Sequence, residues 1–192
     1  MRWTLPKGGE LELLEAFIAP SACAALCDAL REQIPFQQRP IRIMGREIMQ
    51  PRLSAWVGDP GTAYTYSGVR NEPEPWPPAL LPLRAQVSRA ANEAFNSVLC
   101  NLYRDGIDSM GFHADAEPEL GPTPVIASLS LGAPRRFQLR HRRDTADRLD
   151  LDLPSGSLLI MRGELQQHYK HAVPKQRAIH EPRINLTFRR IR

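Results

Sequence analysis

Asn101-Leu-Tyr-Arg-Asp-Gly-Ile-Asp-Ser-Met-Gly-Phe-His113-Ala-Asp115 is the stretch on which the reading of this chain turns. It ends in His113-Ala-Asp115. Residues two apart on an extended segment point to one face, so this imidazole and this carboxylate can reach a common ion. His-x-Asp alone is a weak signal, and a third ligand must come from elsewhere. Both His168 and His171 are available downstream. His171, directly before Ala-Val-Pro, opens a short strand and is preferred. His168 reads as exposed or supporting, and His141 and His180 as surface histidines. Two imidazoles and one carboxylate hold a non-haem ferrous ion on one face and leave the other positions open for chemistry.

A second stretch strengthens the first. In Arg183-Ile-Asn-Leu-Thr-Phe-Arg189 the side chains of Arg183, Asn185, Thr187 and Arg189 share one face of a strand, and Ile184, Leu186 and Phe188 the other. Two arginines turned inward need an anion. A dicarboxylate can engage both ends of such a row.

Around these stretches the pattern after Asn96 is one of short strands split by turns. They are expected at Ser97–Tyr103, Val125–Leu131, Arg136–Arg140, Leu149–Leu153, Leu158–Arg162, His171–Val173 and Ile184–Phe188. Strands of this length and spacing predict a mainly β fold of two facing sheets, a double-stranded β-helix or jelly roll. His113 and Asp115 then lie at a strand end, and His171 returns to them from a later strand. Two helices flank the core. The first starts near Ser21 as N-cap, with Cys23, Leu26, Cys27 and Leu30 on one face. The second runs from about Pro78 to Phe95, with Leu80, Leu83, Val87, Ala91 and Phe95 as its stripe despite Pro82. Between them, Ile41–Arg46 reads as a hairpin turning near Met44-Gly45. Ala63–Gly68 reads as a strand with Tyr64 and Tyr66 on one face. Residues 35–68 are expected to form a substrate-binding lid on a single domain spanning 1–192.

The bulk numbers agree. At 192 residues and 42% hydrophobic the chain supports one real core. No stretch approaches the apolar run of a membrane span, and the start lacks a signal-peptide core, so a cytoplasmic protein (nuclear in a eukaryotic cell) is expected. Three cysteines, Cys23, Cys27 and Cys100, give no paired framework. The net charge of +4 permits nucleic-acid binding without requiring it. Basic residues cluster at 135–143 and 170–177, and those at Arg135–Arg143 and Lys175–Arg177 are candidates for gripping phosphate.

Taken in order, Asn-x-Tyr, His-x-Asp, a distal His and Arg-x-Asn-x-Thr-x-Arg resemble the AlkB family of Fe(II)/2-oxoglutarate dioxygenases. The likeness runs from about Pro35 to Arg192 and looks closer to the duplex-repairing homologues. Tyr64-Thr-Tyr-Ser-Gly68, Ile126-Ala-Ser-Leu-Ser-Leu-Gly132 and Gly156-Ser-Leu-Leu159 add to it. The resemblance implies that His113, Asp115 and His171 hold Fe(II). It implies that Arg183 pairs with the distal carboxylate of 2-oxoglutarate, that Arg189 and Asn185 lie by the chelating end, and that Asn101 and Tyr103 donate to the same cosubstrate. With O2, the implied activity is oxidative demethylation of N1-methyladenine and N3-methylcytosine in DNA, giving succinate and formaldehyde. The alternatives are the same chemistry on RNA, or a catalytically inert nucleic-acid-binding module.

A base must leave its stack to reach such a metal. The resemblance makes Tyr66 the stacking aromatic, opposite the ring of His113, with Tyr64 and Trp56 as neighbours. Glu117 would accept from the exocyclic amine of the base. Met44 occupies the hairpin position where duplex-acting relatives carry a wedge, and methionine can intercalate. DNA is the expected partner before RNA, and a monomer the expected state.

Overall fold

Both faces of the segment Arg183–Arg189 are buried, and this explains its alternation. Ile184, Leu186 and Phe188 join an apolar cluster under two helices, whereas the polar residues face a second sheet. The computed structural model describes residues 1–43, 46–66 and 69–192, with backbone alone described within 42–46 and 64–71. In chain order the strands are β1 (Arg2–Thr4), β2 (Glu10–Leu14), β3 (Pro40–Ile43), β4 (Arg46–Met49), β5 (Leu53–Gly58), β6 (Tyr64–Tyr66), β7 (Val69–Asn71), β8 (Ser97–Tyr103), β9 (Met110–His113), β10 (Ile126–Gly132), β11 (Arg135–His141), β12 (Arg148–Leu153), β13 (Ser157–Arg162), β14 (Tyr169–Val173) and β15 (Arg183–Arg189). The helices are α1 (Pro20–Gln33), α2 (Leu80–Ala91) and the single turn α3 (Leu165–His168).

Among the described residues the larger sheet runs β1-β2-β13-β10-β15-β8-β5 and the smaller β12-β11-β14-β9, all pairs antiparallel. Apart from the hairpins β1-β2 and β11-β12, neighbours in these two sheets are distant in sequence, as in a jelly roll. Side chains of both sheets meet in one apolar cluster that includes Leu13, Leu159 and Met161 from the larger and Phe137, Leu139 and Leu153 from the smaller. Across the larger sheet's other face, Leu30, Leu80, Leu83, Val87 and Ala91 of α1 and α2 cover Val98, Leu129, Ile160 and Leu186. Each Val, Leu or Ile side chain so removed from water stabilises the fold by about 1.5–3 kcal/mol.

The helix boundaries differ from the sequence expectation for local reasons. Helix α1 begins at Pro20 with Ala19 as N-cap and no side-chain cap, so Ser21 is already inside it. A proline at the first position has the right φ and lacks only a donor that would be unpaired there. Helix α2 ends at Ala91 because Asn92 turns left-handed, with φ 49°, and Phe95 packs from beyond the helix. Pro82 is third in α2, within the first turn, where its missing N–H breaks no helical bond.

The expected hairpin is present as β3 paired with β4, Ile43 opposite Arg46, and the tyrosine strand as β6 paired with β7. Met44-Gly45 and Ser67-Gly68 lie outside the described residues. Strands β1, β2, β5 and β7 were not expected, whereas β9 supplies the strand end expected at His113. Strand β2 extends the larger sheet beside β13, and β5 closes its other edge against β8.

Candidate metal and dicarboxylate site

Strand pairing builds the metal site. His113 is the last residue of β9 and His171 the third of β14, and the two are opposite each other in register. A register shift between His171 and Val173 marks a bulge, the kind of irregularity that re-aims side chains near a site. Their ring centroids are 4.2 Å apart at 61°. Asp115 follows β9 by two residues, and its backbone N–H donates to the side-chain oxygen of the buried Gln166 at 2.9 Å. One ligand atom from each of His113, Asp115 and His171 lies within 4.8 Å of the others. His168 is elsewhere, half-buried and beside Glu164 at 3.4 Å.

The protonation states suit a cation. The Nδ1 of His113 lies 2.9 Å from the Gly111 carbonyl, which can only accept, so Nδ1 carries the proton and Nε2 keeps its lone pair. Burial pushes His171 down to about 3, with His113 and Arg189 adding and Asp115 opposing, so the ring is neutral near pH 7. Burial alone would raise the Asp115 carboxyl; the Arg189 guanidinium outweighs it and holds it below its ordinary value. Arg189 donates to Asp115 Oδ1 at 2.5 Å, both groups buried, whereas Asp115 Oδ2 has no hydrogen-bond partner. A buried carboxylate oxygen with no hydrogen bond, beside two neutral imidazoles, is a set of donors suited to a divalent ion. The donor set of two nitrogens and one oxygen fits ferrous iron.

The same cavity continues past the ligands to the polar face of β15. It is lined by Leu99, Asn101 and Tyr103 of β8, by Ser128 of β10, by Phe137, His171 and Val173 of the smaller sheet, and by Arg183, Asn185, Thr187 and Arg189. Arg183 is 1% exposed, yet only its Nη2 has a partner, Ser130 Oγ at 2.9 Å; Nε and Nη1 have none. Its guanidinium carbon lies 5.2 Å from the Tyr103 ring centre. Burial first, and Arg135 second, bring Arg183 down to about 10, with Tyr103 opposing, so it stays cationic at neutral pH. A buried cation with two idle donors costs several kcal/mol unless an anion arrives. A carboxylate meets that need.

Not every expected residue has the task assigned from sequence. Asn101 accepts from Arg52 Nε at 2.8 Å, which leaves its amide hydrogens for a ligand. Asn185 instead gives both amide hydrogens to Ser128 Oγ (2.7 Å) and Leu129 O (3.2 Å) and accepts from Thr187. It orients the strand and has no donor to spare. Trp56 must be corrected outright: it is 2% exposed in the inter-sheet core, its indole N–H donating to Thr62 O, so its faces are closed to a base. Arg135 is likewise no phosphate-gripping rim residue but 1% exposed, whereas Arg136, Arg140, Arg142, Arg143, Lys175 and Arg177 are exposed. Glu117 is half-buried at the start of the turn Pro118–Leu120. The side chains of Tyr64, Tyr66 and Met44 lie outside the described residues. Sequence reading missed Arg52, Ser128 and Phe137. Ser128 sits in step with Ser130 on β10 and could have been found by alternation, whereas Arg52 precedes β5 with no local signal.

A profile of the 2OG-Fe(II) oxygenase superfamily matches residues 10–189, and the chain belongs to that superfamily. Within it, the chain is similar to proteins of AlkB type. It is 42% identical over 188 residues to alpha-ketoglutarate-dependent dioxygenase alkB homolog 3 of Bos taurus, covering 93% of this chain and 65% of that protein. It is 40% identical over 158 residues to DNA oxidative demethylase ALKBH2 of Mus musculus, covering 79% and 66%. The chain therefore spans slightly under two thirds of the length of these relatives. A solved structure, OsALKBH1, superposes with a TM-score of 0.68 at 20% identity, covering 94% of this chain and 97% of that one, a likeness of fold.

Proposed function

We propose that this chain is an Fe(II)- and 2-oxoglutarate-dependent dioxygenase that removes N-methyl groups from nucleic-acid bases, with N1-methyladenine and N3-methylcytosine in DNA as its substrates. The observation that carries the reading is the buried, under-bonded Arg183 in the same cavity as the His113, Asp115 and His171 cluster. A metal site alone, or an arginine alone, would leave the other unexplained.

Bound at the three ligands, Fe(II) supplies the O2-dependent oxidation of a methyl C–H, coupled to decarboxylation of 2-oxoglutarate to succinate. The chain's own part is geometric and electrostatic. Arg183 takes the distal carboxylate through its idle Nε and Nη1, and Asn101 and Tyr103 add donors from β8. Arg189 keeps Asp115 ionised and occupies its Oδ1, so that Oδ2 would be the oxygen to hold the metal. Phe137, stacked on His171 at 5.4 Å, joins Leu99 and Met161 in an apolar wall that excludes water from the chemistry. The hydroxymethyl product on the base nitrogen then collapses to formaldehyde and the unmodified base.

The names of the relatives support a nucleic-acid substrate, and the exposed arginines of 136–143 supply a phosphate-binding surface whose affinity falls with salt. Tyr66 and Glu117 are the candidates for stacking and reading the base, with Tyr64 beside them. Residues 35–68 act as the lid of a domain that spans 1–192 and works as a monomer. No helix among the described residues is long and apolar enough to cross a membrane, in keeping with a cytoplasmic or nuclear setting. The test is incubation with Fe(II), 2-oxoglutarate, ascorbate and methylated DNA or RNA oligonucleotides, followed by mass spectrometry. Methyl loss that requires 2-oxoglutarate is expected, faster on DNA. Faster loss on RNA selects that alternative, and binding without methyl loss selects the inert module.

A further inference from the structure

Arg135, at the start of β11, is as buried as Arg183 but its bonding is the opposite. Nε donates to Gln176 Oε1 (3.3 Å), Nη1 to Asp105 O (3.0 Å), and Nη2 to both Asp108 O and Pro174 O (2.8 Å each). It thereby ties the loop between β8 and β9 to the segment that follows β14. The two chain stretches are also stitched by backbone: Gly106 N donates to Ile179 O, and Gln176 N to Gly106 O, both at 2.8 Å. Gly106 is required there, since a Cβ would collide with the Gln176 carbonyl. These are the connections that carry Tyr103 at one end and lead from His171 at the other.

The guanidinium carbon of Arg135 lies 5.5 Å from the Tyr103 ring centre, and that of Arg183 lies 5.2 Å from the same centre. Two buried cations therefore share one aromatic ring. Only Arg183 has donors to offer a ligand. Asp108, 5% exposed, is held by Arg104 through three bonds and makes none to Arg183. The surplus positive charge at this end of the cavity is left for an incoming anion to neutralise.

We propose that Arg135 is a positioning residue for the distal carboxylate of 2-oxoglutarate. It acts through Tyr103, fixing the ring on which Arg183 lies, and it adds a second positive charge behind the one that makes the contact. The inference rests on the cosubstrate reading above. It predicts that Arg135 matters for a 2-oxo acid with a distal carboxylate and not for one without.

The test compares 2-oxoglutarate with 2-oxobutyrate, which keeps the chelating end and lacks the distal carboxylate. Dissociation constants are measured by calorimetry on Mn(II)-loaded protein, with no turnover involved. Wild type is expected to prefer 2-oxoglutarate; if it shows no preference, the cosubstrate reading itself fails. Given that preference, Arg135→Met is expected to weaken 2-oxoglutarate about tenfold and 2-oxobutyrate by less than about twofold. Arg135→Lys keeps the charge but cannot span the three carbonyls, and should lose about threefold for 2-oxoglutarate alone. It also carries the test if the Met variant fails to fold. Equal losses for both acids, or none in either variant, overturn the proposal.

Discussion

His113 and His171 are register partners on neighbouring antiparallel strands, and the metal site is their shared rung. Asp115 completes it from just beyond the strand, held by Arg189 and Gln166. The ligands are thus fixed by main-chain pairing and by buried hydrogen bonds before any ion binds. Substitutions should separate metal binding from folding only where the neighbours allow it.

Asp115→Ala removes a ligand and also takes the carboxylate away from buried Arg189. Metal uptake and 2-oxoglutarate turnover should both vanish, and unfolding free energy should fall by about 3–5 kcal/mol. Calorimetric metal titration and denaturant unfolding check the two parts. Retained turnover would remove Asp115 from the site.

Arg183→Met should raise the apparent KM for 2-oxoglutarate by about a hundredfold, because a charge-assisted pair is lost. The metal-free protein should lose no stability and gain up to about 1–4 kcal/mol, since a buried cation with idle donors gives way to an apolar chain. An unchanged KM would refute the pairing.

Asp108 is a stability element with a pH signature. Burial raises its carboxyl, but the bonds from Arg104 and the charge of Arg135 outweigh this and hold it below its ordinary value. A lowered folded-state pKa adds stability above the unfolded value, and that stability fades as pH falls through the folded value. Asp108→Asn should therefore cost about 1–3 kcal/mol at pH 7. The gap to wild type should narrow as unfolding is repeated toward pH 3, and a gap that widens on acidification contradicts the assignment.

Trp56→Phe should cost about 1–3 kcal/mol through a lost hydrogen bond and a small cavity, with no change in KM for a methylated oligonucleotide. A raised oligonucleotide KM at unchanged stability would return Trp56 to the substrate surface.

Met44 stands in the sequence between the segments that form β3 and β4, and Met44→Ala should slow demethylation in duplex more than in single strands, by a few-fold at about one lost wedge contact. Parallel rates on matched substrates decide it; equal losses count against a wedge.

What the sequence disclosed follows physical lines. The alternation of Arg183–Arg189 was legible because one face meets helices and the other a polar cavity, and strand β8 was placed at its true limits. Strand β5, Leu-Ser-Ala-Trp-Val-Gly, is buried on both sides for nearly its full length, so it shows no period of two and passed unseen. Strand β9 is short, contains Gly111 and ends in a bulged pairing. Arg135 and Arg183 look alike in sequence. Only the carbonyls gathered from distant loops make Arg135 a clamp, while Arg183, without them, keeps two donors unbonded.

The central claim is a ferrous ion and a chelating 2-oxo acid side by side in this cavity. Anaerobic addition of 2-oxoglutarate to the Fe(II)-loaded protein, followed by visible absorption, tests it most directly. A charge-transfer band that saturates with 2-oxoglutarate and disappears in His171→Ala is predicted. A featureless spectrum in the intact protein, or a band that survives loss of His171, would contradict it.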